Sequence, residues 1–345
     1  MPTTYAIPDG RKHFDVQLST PVAGGMTFSG MLFKPDFLWR KARNNAESHY
    51  VADSNRGTTV FLSPNLTTAE LGYQGSDGSL TFNADGYTIT DSNYNSGEFY
   101  FNGRIYVDWL WKAGGTAVSN NAGSITSQVS ANPTAGFSVV TWTGTNANAT
   151  IGHGLGVAPA MYITKQRSAT GNWFVYHQSI GATKGLFLDL TNAATTNIYF
   201  NNTAPTSTVF SIGSSVGGLN ASGVTQVTYC FAPVAGYSAF GSFVGGGATA
   251  DNTFIYLGFR PRYFMFKRTG SAGDWVILDS SRSPYNQGAA YLYANASNAE
   301  ATNAYQFDFL SNGVKFRDSA GNIASGGTYI YMAFAENPFK YSSAR

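Results

Sequence analysis

Short apolar runs, each only a few residues long, alternate along this chain with clusters of Gly, Asn, Ser and Thr. Runs of this length, rich in aromatic and β-branched residues and punctuated by turn formers, predict strands and not helices. In the first third, strands are expected near Phe37–Lys41, His49–Ala52, Thr59–Leu62, Leu80–Asn83, Tyr87–Thr90 and Ile105–Trp111. Phe37-Leu38-Trp39 and Tyr263-Phe264-Met265 are apolar at consecutive positions. A strand patterned this way is covered on both faces, as in the centre of a sandwich.

The pattern repeats. "FKPDFLWRKAR", "GVAPAMYITKQR" and "GFRPRYFMFKR" each hold a proline, an apolar run and a lysine six residues on: Pro35 with Lys41, Pro159 with Lys165, Pro261 with Lys267. Fourteen residues after each proline stand His49, Trp173 and Trp275; eighteen after stand Asp53, His177 and Asp279. The copies also end alike, in "YVDWLWKAGG", "VTYCFAPVAGYS" and "YIYMAFAENPFKYS". These endings divide the chain into 1–115, 116–236 and 237–345. Units of roughly 100 residues exceed a solenoid repeat and suit a seven-stranded sandwich. The expected fold is therefore all-β, three tandem β-sandwich domains. A closed propeller of six half-repeats is the alternative.

Composition narrows the partners. Charged residues are only 12% of the 345 and the formal net charge is +2, without a basic run. Nucleic-acid binding leans on clustered Lys and Arg, so no nucleic acid is expected. No apolar run approaches the roughly 18 residues of a spanning helix, so no membrane insertion is expected. The start lacks the apolar stretch of a secretory signal. Cys230 is the single cysteine, which rules out an intrachain disulfide and a thiolate cluster.

The phrases "YVDWLWKAGG" (Tyr106 to Gly115), "GLGVAPAMYITKQRSATGNWFVYH" (Gly154 to His177) and "TYIYMAFAENPFKYSSAR" (Thr328 to Arg345) resemble a repeated domain in virion proteins of tailed bacteriophages, of the tail-fibre or structural-protein type. The resemblance implies lectin-like or SPRY-like sandwiches, a virion location after synthesis in the host cytoplasm, other virion proteins as partners, and host attachment through surface glycan. By analogy with phage fibres, in which trimeric symmetry is common, it implies a homo-oligomer. It carries no catalytic residues. The chain has neither a collagen-like Gly-X-Y tract nor heptads to build a shaft. A compact knob, a capsid or tail decoration protein without a receptor role, and a tail adhesin fit equally. A glycan depolymerase is the more distant alternative, since no pair of acidic residues recurs or clusters; the expectation is a non-enzyme without cofactor.

Asp53 with Arg56 recurs as Asp279 with Arg282, while the second copy has His177 and Ile180. Joint loss indicates that each pair serves itself, as a turn closed by a carboxylate and a guanidinium. The three lysines are expected to lay their stems over apolar surface with the ammonium in water. Trp173 and Trp275 read as core, with His49 leaving that core looser in the first copy. Aromatics in polar loops that differ between copies, Tyr73, Tyr94, Tyr199 and Tyr285, are the candidate sugar platforms. "DSNYNSGE" (Asp91 to Glu98) reads as a polar hairpin loop and not a calcium loop, because its glycine comes one residue late. The four histidines have no metal-ligand spacing, so no metal site is expected.

Overall fold

A computed structural model describes residues 7–22, 24–72, 79–90, 103–214, 216–247, 253–317 and 322–336. Three large antiparallel sheets carry the architecture, each drawn from one copy. In the first the spatial order is Phe14–Ser19, Tyr106–Trp111, Phe37–Ala42, Tyr50–Asp53, Gly57–Leu62. In the second it is Phe137–Thr143, Thr225–Phe231, Met161–Gln166, Trp173–His177, Lys184–Phe187. In the third it is Ser238–Val244, Thr328–Ala335, Pro261–Arg268, Trp275–Asp279, Leu292–Tyr293. The proline segments thus occupy the same place three times, paired on one side with the closing strand. Shared backbone bonds prove the equivalence. The amides of Lys112, Ala232 and Ala335 donate to the carbonyls of His13, Gly136 and Tyr237 in turn.

Because side chains alternate across a strand, each large sheet has two apolar faces to cover. The outer face packs on a small sheet of the same copy: Met26–Phe28 with Ser79–Asn83 and Gly86–Thr90, Ala149–Gly152 with Val209–Ile212, and Phe254–Tyr256 with Phe307–Leu310 and Gly313–Phe316. Leu38, Tyr162 and Phe264 point into these outer layers. Each copy is therefore a two-layered, sandwich-like unit.

The inner faces do something that the sequence pattern did not reveal. Phe37, Trp39, Trp109 and Trp111 of the first copy, Ile163, Trp173 and Tyr229 of the second, and Tyr263, Met265 and Phe334 of the third belong to one apolar cluster. The three large sheets enclose a common centre in pseudo-threefold fashion. The small sheets contribute nothing to that centre, so the arrangement is not a propeller of six half-repeats. Aromatic edges interlock there: Trp111 meets Phe137, Phe231, Tyr263 and Phe334 at ring-centroid distances of 6.3, 6.3, 5.7 and 5.5 Å. A void of about 10 Å³ remains near the axis, walled only by apolar side chains, Trp39, Trp173 and Met332 among them. That is at the lower limit of room for one water, so the centre is a packed core.

Candidate functional site

The residues that recur between copies turn inward and tie one copy to the next. Asp53 closes its turn by accepting from the backbone N–H of Asn55 (3.1 Å) and Arg56 (2.8 Å), and it pairs with the Arg56 guanidinium. It also accepts from Tyr229 Oη of the second copy at 2.8 Å. Arg56 reaches on to Glu70 at 2.7 Å, and Glu70 is gripped through two nitrogens by Arg167, again from the second copy. The junction between the third and first copies repeats this design. Asp279 pairs with Arg282 and accepts from Trp109 Nε1 at 3.1 Å, and Glu300 joins Arg282 to Arg43.

At the junction between the second and third copies every member of that network is different. His177, Ile180, Ala194, Thr269 and Met332 stand where the other junctions have Asp, Arg, Glu, Arg and an aromatic donor. The backbone geometry is unchanged, since Ala194 N donates to Thr269 O as Glu70 N does to Arg167 O. Ile180 and Ala194 pack on the central cluster, and His177 Nε2 donates to Tyr331 O at 3.1 Å because Met332 has no polar hydrogen to offer. A buried ion network missing one member strands charge, so its members are replaced together or not at all.

The lysines correct the expectation that their ammonium groups stay wet. Lys41, Lys165 and Lys267 are all fully buried. They lie on the inner face of the proline strand, in register with the apolar residues before them. Lys165 Nζ donates to Thr67 O (3.0 Å) and Gly171 O, and Lys267 Nζ to Thr191 O (3.1 Å) and Asn192 O (2.9 Å). Lys165 and Lys267 thus reach loop carbonyls of the neighbouring copy, whereas Lys41 Nζ donates within its own copy, to Ala42 O (2.6 Å) and Asn45 O (3.2 Å). Burial lowers the pKa of each to about 8.

Trp173 and Trp275 are core, and their indole N–H groups donate across junctions to Ser63 O (3.0 Å) and Phe187 O (2.7 Å). His49 takes the same role, donating from Nε2 to Tyr293 O at 2.9 Å while Nδ1 accepts from Trp39 Nε1 at 2.9 Å. The first copy is not looser there, because Trp39 supplies the bulk that Ile163 and Met265 lack. His49, His153 and His177 all accept at Nδ1 and donate from Nε2, which fixes them neutral. Burial depresses His49 to about 3 and His177 to about 4.

These shifts set the pH dependence of stability. Between pH 8 and 10.5 the unfolded chain holds more protons on the three lysines than the folded one, so stability should rise with pH through that window. Above about pH 10 the unfolded tyrosines ionise first and reverse the trend. The depressed histidines act in the same sense on the acid side, and their stabilising effect should be lost as pH falls below 6.5. Denaturant melts from pH 5 to 10 test both; Lys267→Met should reduce the alkaline slope, and an unchanged slope would contradict the burial of that charge.

Tyr73, Tyr94 and the Asp91-to-Glu98 loop lie outside the described residues. Tyr199 is a correction: it is 8% exposed, its ring packed against Phe174 and Phe187, with no face left for a sugar. Tyr285 is 80% exposed. Arg40, Asp108 and Tyr87 form a further ion cluster, with Arg40 Nη1 donating to both Asp108 oxygens (2.8 and 2.6 Å), but it is sealed between the two layers of the first copy. Its counterparts are a Thr164–Thr228 hydrogen bond and the stacked Phe264–Tyr331 pair beside Phe266. Among the described residues there is no group of three His, Cys, Asp or Glu placed to hold a metal ion, and no helix long and apolar enough to cross a membrane.

A cleft of about 420 Å³ opens to solvent where the first copy meets the second, at the proline end of the sheets. His13, Lys34, Asp36 and Lys112 line it from the first copy, Asn132 and Pro133 from the second. Asn132 Nδ2 donates to His13 Nδ1 and to Lys112 O, both at 3.1 Å, and so locks the two copies together at the cleft floor. Sequence reasoning passed over the two lysines because neither recurs at the matching position of the other copies. No curated protein and no solved structure matches the chain. One family model spans all three copies, matching residues 9–338, and by that match the chain belongs to the family described as a domain of unknown function, DUF7483.

Proposed function

We propose that this protein is a structural component of a tailed-bacteriophage particle, exposed on its surface and attaching to host-surface glycan. One observation carries the reading most: residues that recur between copies hold them together, and the open cleft at the first junction is lined by Lys34 and Lys112, which the other copies replace. A triplicated scaffold with a specialised rim suits display and recognition. The resemblance of its closing phrases to virion proteins supplies the setting, and the enclosed centre suits a knob more than a long fibre. A homotrimer would bring three sheets about an axis by association; here one chain does so by duplication.

Immunogold labelling of particles, with glycan-array binding of the purified chain, tests the proposal. Label on the particle surface together with saturable glycan binding is the expected result. Label on the capsid without any glycan or cell binding would leave a decoration protein, and absence from the particle would end the virion reading.

A further inference from the structure

We infer that the cleft between the first two copies binds a monosaccharide-sized anion, the carboxylate or phosphate of an acidic surface glycan. The origin of the ligand rests on the attachment role proposed above; the anion site stands on the cleft itself.

Its volume of about 420 Å³ lies in the range of small-ligand pockets, about 300–1,000 Å³. Its charge is positive. Lys34 and Lys112 line it, and neither has an ion-pair partner among the described residues. The one carboxylate present is already engaged: Asp36 accepts from Ser54 Oγ at 2.9 Å and from the Ala113 N–H at 2.8 Å. His13 presents a further donor. Asn132 Nδ2 can only donate, so His13 Nδ1 accepts and its proton sits on Nε2, which has no hydrogen-bond partner among the described residues. Part of the wall is bare backbone, for Gly114 passes so near Ala131 that a Cβ would lie 2.3 Å from its carbonyl oxygen. Exposed peptide groups suit the hydroxyls of a sugar.

The other copies act as an internal control. Lys34 and Lys112 correspond to Ala158 and Ala232 in the second copy, and to Arg260 and Ala335 in the third. Arg260 is paired with Glu336. The same corner is thus built twice without the two lysines, so the fold does not need them.

Because Asn132 Nδ2 donates to its Nδ1, His13 is held neutral, in keeping with a pKa lowered by partial burial and by Lys112 and Lys12, with Asp9 acting oppositely. Lys34 and the engaged Asp36 complete the charged surroundings. The neutral ring meets the anion through Nε2–H, so binding should hold through neutral pH and the His13 ring resonances should shift when ligand is added.

The test uses the full chain, titrated by calorimetry and NMR with sodium glucuronate, glucose 6-phosphate, glucose and inorganic phosphate. Saturable binding of glucuronate, glucose 6-phosphate or both, at least tenfold tighter than glucose, is expected; the two arms tell a carboxylate from a phosphate source. Lys34→Ala with Lys112→Ala should weaken it at least tenfold and abolish the His13 shift, with an unchanged melt, while exposed Lys184→Ala should do nothing. Glucose binding as well as glucuronate would overturn the role of charge. Inorganic phosphate binding as tightly as either sugar acid would overturn the saccharide. No saturation by any probe would overturn the site, whatever the labelling of particles shows.

Discussion

The full chain is expected to unfold in one cooperative transition, and residues 116–236 produced alone are expected not to fold. The inner face of the second large sheet presents Phe137, Met161, Ile163, Trp173, Tyr229 and Phe231, and every one of them is buried against the other two copies. Burying one large apolar side chain is worth about 1.5–3 kcal/mol, so this face alone stands for roughly 10 kcal/mol, as much as a whole domain's net stability of about 5–15 kcal/mol. Separation would also strip Trp173 Nε1 of Ser63 O and Lys165 Nζ of Thr67 O. We therefore propose that 1–115, 116–236 and 237–345 are units of duplication and not of independent folding. Calorimetry of the whole chain should give a van't Hoff enthalpy close to the calorimetric one, and the fragment should bind ANS and show poor proton dispersion. A fragment with sharp, dispersed resonances and its own melt would refute the shared core.

The second large effect concerns the ion networks between copies. Arg282→Ala leaves Asp279 buried with only turn amides and Trp109 for partners, and it takes one guanidinium from Glu300. Breaking a buried pair from one side costs about 3–5 kcal/mol, so a large drop in melting temperature is expected. Asp279→Ala should cost a similar amount, and the double variant clearly less than the sum. The second junction supplies a stricter test. Converting Asp279→His, Arg282→Ile, Glu300→Ala, Arg43→Thr and Trp109→Met together copies residues that already work elsewhere in the molecule. The five-fold variant should be more stable than Arg282→Ala alone. Additive losses, or a five-fold variant that falls below the single one, would show that the network is not a replaceable unit.

Much of this was legible in the chain. Strand positions near Phe37, Tyr50, Gly57 and Tyr106 follow from apolar runs bounded by turn residues, and they came within two residues of the strands observed. The pairing of Asp53 with Arg56 was legible from their joint replacement in the second copy. Glu70 and Arg167 were not, because Glu70 lies outside the ungapped stretch and its partner sits in another copy. The lysines misled for a related reason: a Lys at the end of an apolar strand looks amphipathic, and only loop carbonyls, from the neighbouring copy for Lys165 and Lys267 and from its own for Lys41, offset its burial. Tyr199 sits in a polar phrase, yet its ring fills the outer layer beneath Phe187.

By itself, the sequence determined the class of structure and the triplication, because periodicity, turn chemistry and recurrence are local properties that spacing records directly. Which face of each sheet would be dry, and against what, was decided only in three dimensions. An inner face patterned for a partner reads the same whether that partner is a second layer or two sister sheets. The cleft belongs to the same category: His13, Lys34 and Lys112 meet by strand pairing within the first copy, and Asn132 joins them only where the second copy abuts it.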